Sequence, residues 1–306
     1  MPLIKYRDIN FKPQSISLIE TINGVINEYT RQGYDLTLRQ VYYQLVARAV
    51  IPNNERSYKN TGNLINDARI AGLIDWTAIS DRTRNVRINS HWNSPASIMS
   101  SVVHSYAVDT RDTQNTYVEV WVEKDALISI VEQVSSRWDV PCFSCRGYVS
   151  QSEMWAAAQR IQRELSPFDR ERAVIIHLGD HDPSGRDMSR DIQDRLDMFD
   201  AGGVEVRRIA LNWDQIEQYA PPPNPTKLTD SRATAYIDEF GEECWELDAL
   251  EPRVLTNLIQ AEIEDLTDFD ALNERKREQE EDRTKLKLVK TNFEKAVSLL
   301  HENGIF

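Results

Sequence analysis

Two groups of side chains in this 306-residue chain have the types and spacing for phosphate chemistry. The first lies in LTLRQVYYQL, residues 36–45. Arg39 and Tyr43 stand four apart, which makes them surface neighbours on a helix. A phenol ionises near pH ~10, and an adjacent cation favours the phenolate. A guanidinium also grips phosphate oxygens in a bidentate way. That pairing suits a tyrosine that attacks a phosphodiester; the plain alternative is an exposed tyrosine stacked on an arginine. The second group is acidic: Glu123 in VEKDA, and Asp180 and Asp182 in GDHDPSG, with Asp187 just beyond. Gathered carboxylates raise one another's pKa, a cost that a hard divalent cation removes. Mg²⁺ takes oxygen ligands, keeps several waters and shares substrate phosphates. An aspartate at a helix start is often only a cap, but one cap needs one Asp, and here a Glu from another strand end joins a DxD. His177 and His181 flank the DxD and leave zinc open, with no third soft ligand nearby in sequence.

The elements that position these groups follow from periodicity. Thr37 and Gln40 form a capping-box pattern with Gly33 upstream as a breaker. Leu38, Val41, Tyr42, Leu45, Val46 and Ala49 then fall on one helical face, which places Tyr42 in the stripe and Tyr43 at its edge. Helices are predicted over 14–32 and 57–74, followed by a basic extended segment, 80–92, with Arg82, Arg84 and Arg87. Three short helices and a basic extension suggest a winged-helix-like module that contacts DNA through its third helix and wing. A plain helical domain with a solvated loop fits the same pattern.

From Tyr117 strands alternate with helices: YVEVWVE, VPCFSC, RAVIIHLG and VEVRRIAL, with intervening helices at 125–137, 151–164 and up to about 199. This predicts a parallel α/β sheet, whose ligands sit outside the carboxyl ends of its strands. Glu123, Asp180 and Asp182 are all at such ends. The segment 221–232, PPPNPTKLTDSR, reads as a rigid exposed loop carrying Lys227 and Arg232. Residues 243–266 read as a charged helical lobe, and 270–300 as a solvated mixed-charge helix.

Net charge is −13, against a general nucleic-acid binder. The asymmetry matters more: residues 1–116 carry 13 basic and 10 acidic side chains, and the remainder nets −16. DNA contact is therefore expected mainly in the first part, and the acidic part can meet phosphates through metal ions. Three cysteines do not make a disulfide framework, so a reducing cytoplasm is expected, with nucleoid association following from the expected DNA contact; Cys142 and Cys145 read as structural. The start, MPLIKYRDINFK, lacks a signal-peptide apolar run, and no apolar run is long enough for a membrane span.

The order TLRQVYYQL, VEKDA and GDHDPSGRD resembles the A subunit of type IIB DNA topoisomerases (topoisomerase VI) and its meiotic double-strand-break relative, over roughly residues 35–210. In length the chain is most similar to the short Mini-A form from mobile genetic elements. The resemblance implies a winged-helix domain with the catalytic tyrosine (1–116), a Toprim domain (117–240) and a C-terminal helical extension (241–306). It implies Tyr43 as nucleophile, Arg39 as phosphate-binding residue, and Glu123, Asp180 and Asp182 as ligands of Mg²⁺, with Mn²⁺ as substitute; Glu123 also belongs to the catalytic set. The implied reaction is cleavage of double-stranded DNA through a 5′-phosphotyrosyl link. The implied assembly is a homodimer whose sites each combine two protomers, with a separate ATPase subunit for strand passage. The chain itself has no GxxxxGK phosphate loop. A hydrolytic Toprim nuclease and a non-catalytic DNA-binding protein are the rival expectations.

Overall fold

A computed structural model describes residues 3–34, 36–79, 89–165 and 170–303. The wing assigned to 80–92, with Arg82, Arg84 and Arg87, falls largely outside the described residues.

The chain opens with α1 (Pro13–Arg31), α2 (Leu38–Ala47), α3 (Glu55–Ile70) and α4 (Pro95–Ser105). Thr37 caps α2 in the reciprocal box expected: Gln40 N donates to Thr37 Oγ1, and Thr37 N donates to Gln40 Oε1 at 2.8 Å. Asn54 caps α3 by accepting from Ser57 N at 2.8 Å. Ile22, Val25, Leu36, Val41, Leu45, Ile65 and Ala68 share one buried core.

The α/β part runs β1 (Thr116–Val122), α5 (Ile128–Ser135), β2 (Cys142–Ser144), α6 (Gln151–Glu164), β3 (Arg172–Leu178), α7 (Pro183–Met198) and β4 (Val204–Ala210). The four strands form a parallel sheet in the order β2-β1-β3-β4, with Val118 opposite Val174 and Val122 opposite Leu178. Strand β3 is central and buried throughout from Ala173 to Leu178, the near-continuous apolar run that a sheet covered on both faces requires. One face packs on α5 and on α10 (Pro252–Asp265) through Val120, Ile176, Val131, Leu255 and Ile259. The other packs on α6 and α7 through Trp121, Ile175, Met154 and Ile192. Glu119, a carboxylate inside this second layer, accepts from Arg160 Nε and Nη2, Tyr117 Oη and Trp121 Nε1 at 2.7–2.9 Å, so it is fully paired.

Between β4 and α10 lie α8 (Trp213–Tyr219), β5 (Asn224–Pro225), α9 (Ala233–Phe240) and β6 (Glu243–Cys244), with β5 and β6 paired antiparallel. Helix α10, placed by its charge pattern in a lobe beyond the sheet, is a layer of the sheet's own core, because Leu255, Ile259 and Ile263 form its buried stripe. The last helices are α11 (Phe269–Thr291) and α12 (Phe293–Glu302). Helix α11 returns to the N-terminal part, where Tyr106 Oη bonds Asp282 at 3.0 Å and Arg283 bonds the Tyr106 carbonyl at 2.8 Å.

Candidate active site

The carboxyl end of the sheet holds the acids, and the ends of β1 and β3 place them. Glu123 N donates to Leu178 O, and Glu123 Oε2 accepts from Asp180 N at 2.8 Å, so the first acid braces the backbone that carries the second. Asp182 is the N-cap of α7: its Oδ1 accepts from Gly185 N at 2.6 Å and Ser184 Oγ at 2.9 Å. Gly185 is required by close approach, not by a left-handed turn: a Cβ there would overlap the Asp180 carbonyl oxygen. Beneath this turn the half-buried Arg208 donates to the carbonyls of Gly179, Asp180, Gly185 and Leu211. Burial lowers its pKa to about 10.

Asp180 is engaged on both oxygens. Oδ1 accepts from Leu247 N at 2.8 Å, and Oδ2 lies 2.8 Å from Lys124 Nζ. Lys124 also reaches Glu246 at 2.8 Å and Asp248 at 3.1 Å, so one ammonium serves three carboxylates. Burial would lower the lysine's pKa, but Asp180, Asp248 and Glu246 outweigh it and push it up. Burial raises Asp180 to about 7, against the opposing pull of Lys124. Burial also raises Glu123, and the charge of Asp182 adds to the shift.

Helix α2 meets this cluster through the segment after β6. Arg39 Nη2 lies 2.6 Å from Glu246, and Arg39 Nε lies 3.4 Å from Asp248, whose side chain is fully buried. Ala249 packs against Tyr42 and Tyr43. Residues 246–249 thus alternate acid and contact, joining the helix to the sheet. Tyr43 is consequently only 3% exposed, not the exposed edge residue that the helical wheel alone implies. The wheel missed this because the apolar stripe of α2 serves two partners: Val41 and Leu45 face the three-helix core, while Tyr42 and Tyr43 face Ala249. Burial and the charge of Glu246 push the Tyr43 phenol up to about 12, opposed by the hydrogen bond from Asn224 and the charge of Arg39.

A cleft of about 910 Å³ opens over these residues, lined among others by Arg39, Tyr43, Asp182, Asn224, Lys227 and Glu246. The loop 221–232, expected as a plain exposed segment, is one wall of the cleft. Pro221 and Thr226 are buried, and Arg232 moors its end to Asp187 at 2.8 Å and to Tyr148.

The histidines beside the DxD take no part. His177 Nδ1 pairs with Ser189 Oγ at 2.8 Å; His181 Nδ1 pairs with Tyr236 Oη at 2.7 Å inside a cluster of Trp213, Phe240 and Trp245. Burial lowers them to about 3 and about 4. Cys142 and Cys145 are free, and burial raises them to about 11 and about 12, which leaves them inert as nucleophiles at neutral pH.

The donor chemistry bears on Mg²⁺. Among the described residues no group of three His, Cys, Asp or Glu side chains is arranged to hold a metal, and Asp180 is spent on Lys124 and Leu247. Glu123 Oε1 and Asp182 Oδ2 accept no hydrogen bond among the described residues, and the two carboxyls feel each other's charge. That set suits a cation that takes one or two carboxylates and completes its shell with water and phosphate. It does not suit a three-carboxylate cage.

Sequence reading missed Lys124, Glu246, Asp248 and Asn224. The signal for two of them was present in WELDAL, acids alternating with apolar residues directly after a tryptophan. Comparison with protein-family models, curated proteins and solved structures finds no match. No helix among the described residues is long and apolar enough to cross a membrane.

Proposed function

We propose that this protein cleaves DNA by tyrosine transesterification, with Tyr43 as nucleophile, in the manner of a topoisomerase VI A subunit of the short Mini-A form. In this reading helices α1–α4 are the winged-helix-like module and the parallel sheet is a Toprim domain. The observation that carries it is convergence: Tyr43 and Arg39 from α2 line the same cleft as Asp182 from the end of β3.

Tyr43 Oη attacks a phosphodiester phosphorus, its proton passing to the Glu246 carboxylate, whose charge acts on the phenol. The P–O3′ bond breaks, leaving a 5′-phosphotyrosyl link, and the 3′ oxygen takes a proton from water. Arg39, half-exposed at the cleft, turns its fork from Glu246 to the phosphate and stabilises the charge that develops on it. Glu123 and Asp182 would hold a Mg²⁺, which would supply neutralisation of the phosphate charge. Lys124 keeps Asp180, Glu246 and Asp248 together while the phosphate enters. Tyr43 and Asp182 line one cleft of a single protomer, so in this reading each subunit carries its own site, not the two-protomer site that the resemblance implies, and a homodimer would present two such clefts to one duplex, one for each strand.

Burial of Tyr43 and its elevated pKa favour a second reading, a hydrolytic nuclease in which water attacks and the tyrosine packs. Covalent trapping separates the two. The protein is incubated with supercoiled DNA and Mg²⁺ or Mn²⁺, stopped with detergent and digested with protease. Transesterification leaves cut DNA that enters a gel only after protease and is absent from Tyr43→Phe. Protease-independent cuts with 5′-phosphate ends, surviving in Tyr43→Phe, would establish hydrolysis; no cleavage with either metal would remove both readings for the chain acting alone.

A further inference from the structure

The two adjacent tyrosines are joined outside the helix by a run of side-chain hydrogen bonds. Asn54 N donates to Tyr42 Oη at 2.9 Å, and the Tyr42 hydroxyl has Asn53 Oδ1 at 3.0 Å and the Asn54 carbonyl at 3.2 Å as its nearer acceptors. The Pro223 carbonyl sets the Asn53 amide, with Tyr42 at its oxygen: its Nδ2 donates to Pro223 O at 2.7 Å and to Asn224 Oδ1 at 2.9 Å. Asn224 is set in turn. A flipped amide would oppose two donors, so its Nδ2 faces Tyr43 Oη at 3.1 Å. The backbone beneath it is held as well, since Asn224 pairs with Cys244 across β5 and β6, and Arg232 ties the far end of the loop to α7.

We propose that Asn224 is a catalytic residue whose amide donates to the attacking oxygen of Tyr43, and that Tyr42 and Asn53 are positioning residues that hold that amide in its donating orientation. The inference rests on Tyr43 being the nucleophile. The charged groups that face Tyr43 are Arg39 from its own helix and Glu246 from the segment after β6. Glu246 takes the phenol proton; the oxygen left behind is buried and needs donors. Arg39 must share itself with the phosphate, so the donor that stays with the oxygen until the O–P bond forms is Asn224. An amide N–H on a phenolate oxygen favours the ionised form over the neutral one. The role of 221–232 follows: it delivers a neutral donor to the nucleophile from the opposite wall of the cleft. It also explains why two tyrosines stand side by side, one to react and one to orient the network.

The test uses the full chain without DNA. Tyr43 is replaced by a ring-fluorinated tyrosine, whose electron-poor ring ionises within the stable pH range, and ¹⁹F NMR follows its titration. Asn224→Leu keeps the branched side-chain shape and removes the donor. Asn53→Ala leaves residue 224 in place but frees its amide, and keeps the test open if Asn224→Leu fails to fold. Both variants are expected to raise the ionisation midpoint, Asn224→Leu the more. At a fixed pH below the midpoint the phenolate fraction should fall roughly five- to thirteenfold, the difference between a hydrogen bond to a charged oxygen and one to a neutral oxygen. A packing role for Asn53 would not move the midpoint. An unchanged or lowered midpoint in Asn224→Leu overturns the proposal even where covalent DNA adducts form. A raised midpoint in a protein that forms no adduct overturns the transesterase reading instead, leaving the contact but not its catalytic role.

Discussion

Replacing Lys124 with methionine should expose how the acidic centre is held together. Its ammonium is the shared partner of Asp180, Glu246 and Asp248 at 2.8, 2.8 and 3.1 Å, and the Asp248 side chain is fully buried. Methionine fills similar space, so packing changes little, but Asp180 loses its cation and Glu246 and Asp248 keep only Arg39. Removing one partner of a buried ion pair costs about 3–5 kcal/mol because the remaining charge stays desolvated. The sign with pH follows from Asp180. Its folded pKa is raised to about 7 by burial, above an unfolded value near ~3.9. Its contribution to stability is therefore fully present below about pH 4 and is lost as pH rises through about 7. Without Lys124 the folded value moves further up, so the deficit of the variant should be largest at pH 8 and shrink below half by pH 5. Urea unfolding followed by tryptophan fluorescence suits the measurement, because the buried Trp245 precedes Glu246 directly. With a slope of about 3 kcal/mol per molar urea, the midpoint should fall by about 1 M or more at pH 8. A deficit of equal size at both pH values would show that lost packing, not charge, is responsible. No deficit at all would refute the assignment of Lys124 as the shared counter-ion.

Asp182 carries two duties that substitutions can separate. Asp182→Asn keeps an oxygen for Gly185 N and should unfold like the native protein, whereas Asp182→Ala should lose about 1 kcal/mol with the helix cap; both should abolish the heat of Mg²⁺ binding in calorimetry, and retained binding in Asp182→Asn would strike it from the ligands. Gly185→Ala should destabilise the protein by about 1–3 kcal/mol, because the new methyl overlaps the Asp180 carbonyl. A thermal melt unchanged from wild type would show that the β3–α7 turn yields without cost.

The sequence by itself determined what depends on neighbours along the chain. The capping box of Thr37 and Gln40 starts α2 because both bonds close within one turn. The apolar strands and their intervening helices specify a parallel sheet, and Glu123, Asp180 and Asp182 fall at its carboxyl end because Glu123 directly follows β1 and the other two lie in the short turn between β3 and α7. The helical wheel also separates Tyr43 from the α1–α3 core, since 100° per residue is a local property. What only the tertiary structure decided is which partner each of these residues meets. Tyr43 is buried because Ala249 covers it, and its oxygen receives a donor from Asn224, 181 positions away. Asp180 faces Lys124, 56 positions before it, and Glu246 and Asp248 come to the same ammonium from a segment whose own pattern reads as a charged lobe. Charge and periodicity along the chain say that such groups need partners. Only the packing of α2 and of the segment after β6 against the end of the sheet selects them, because partner choice depends on distances in space that no local repeat encodes.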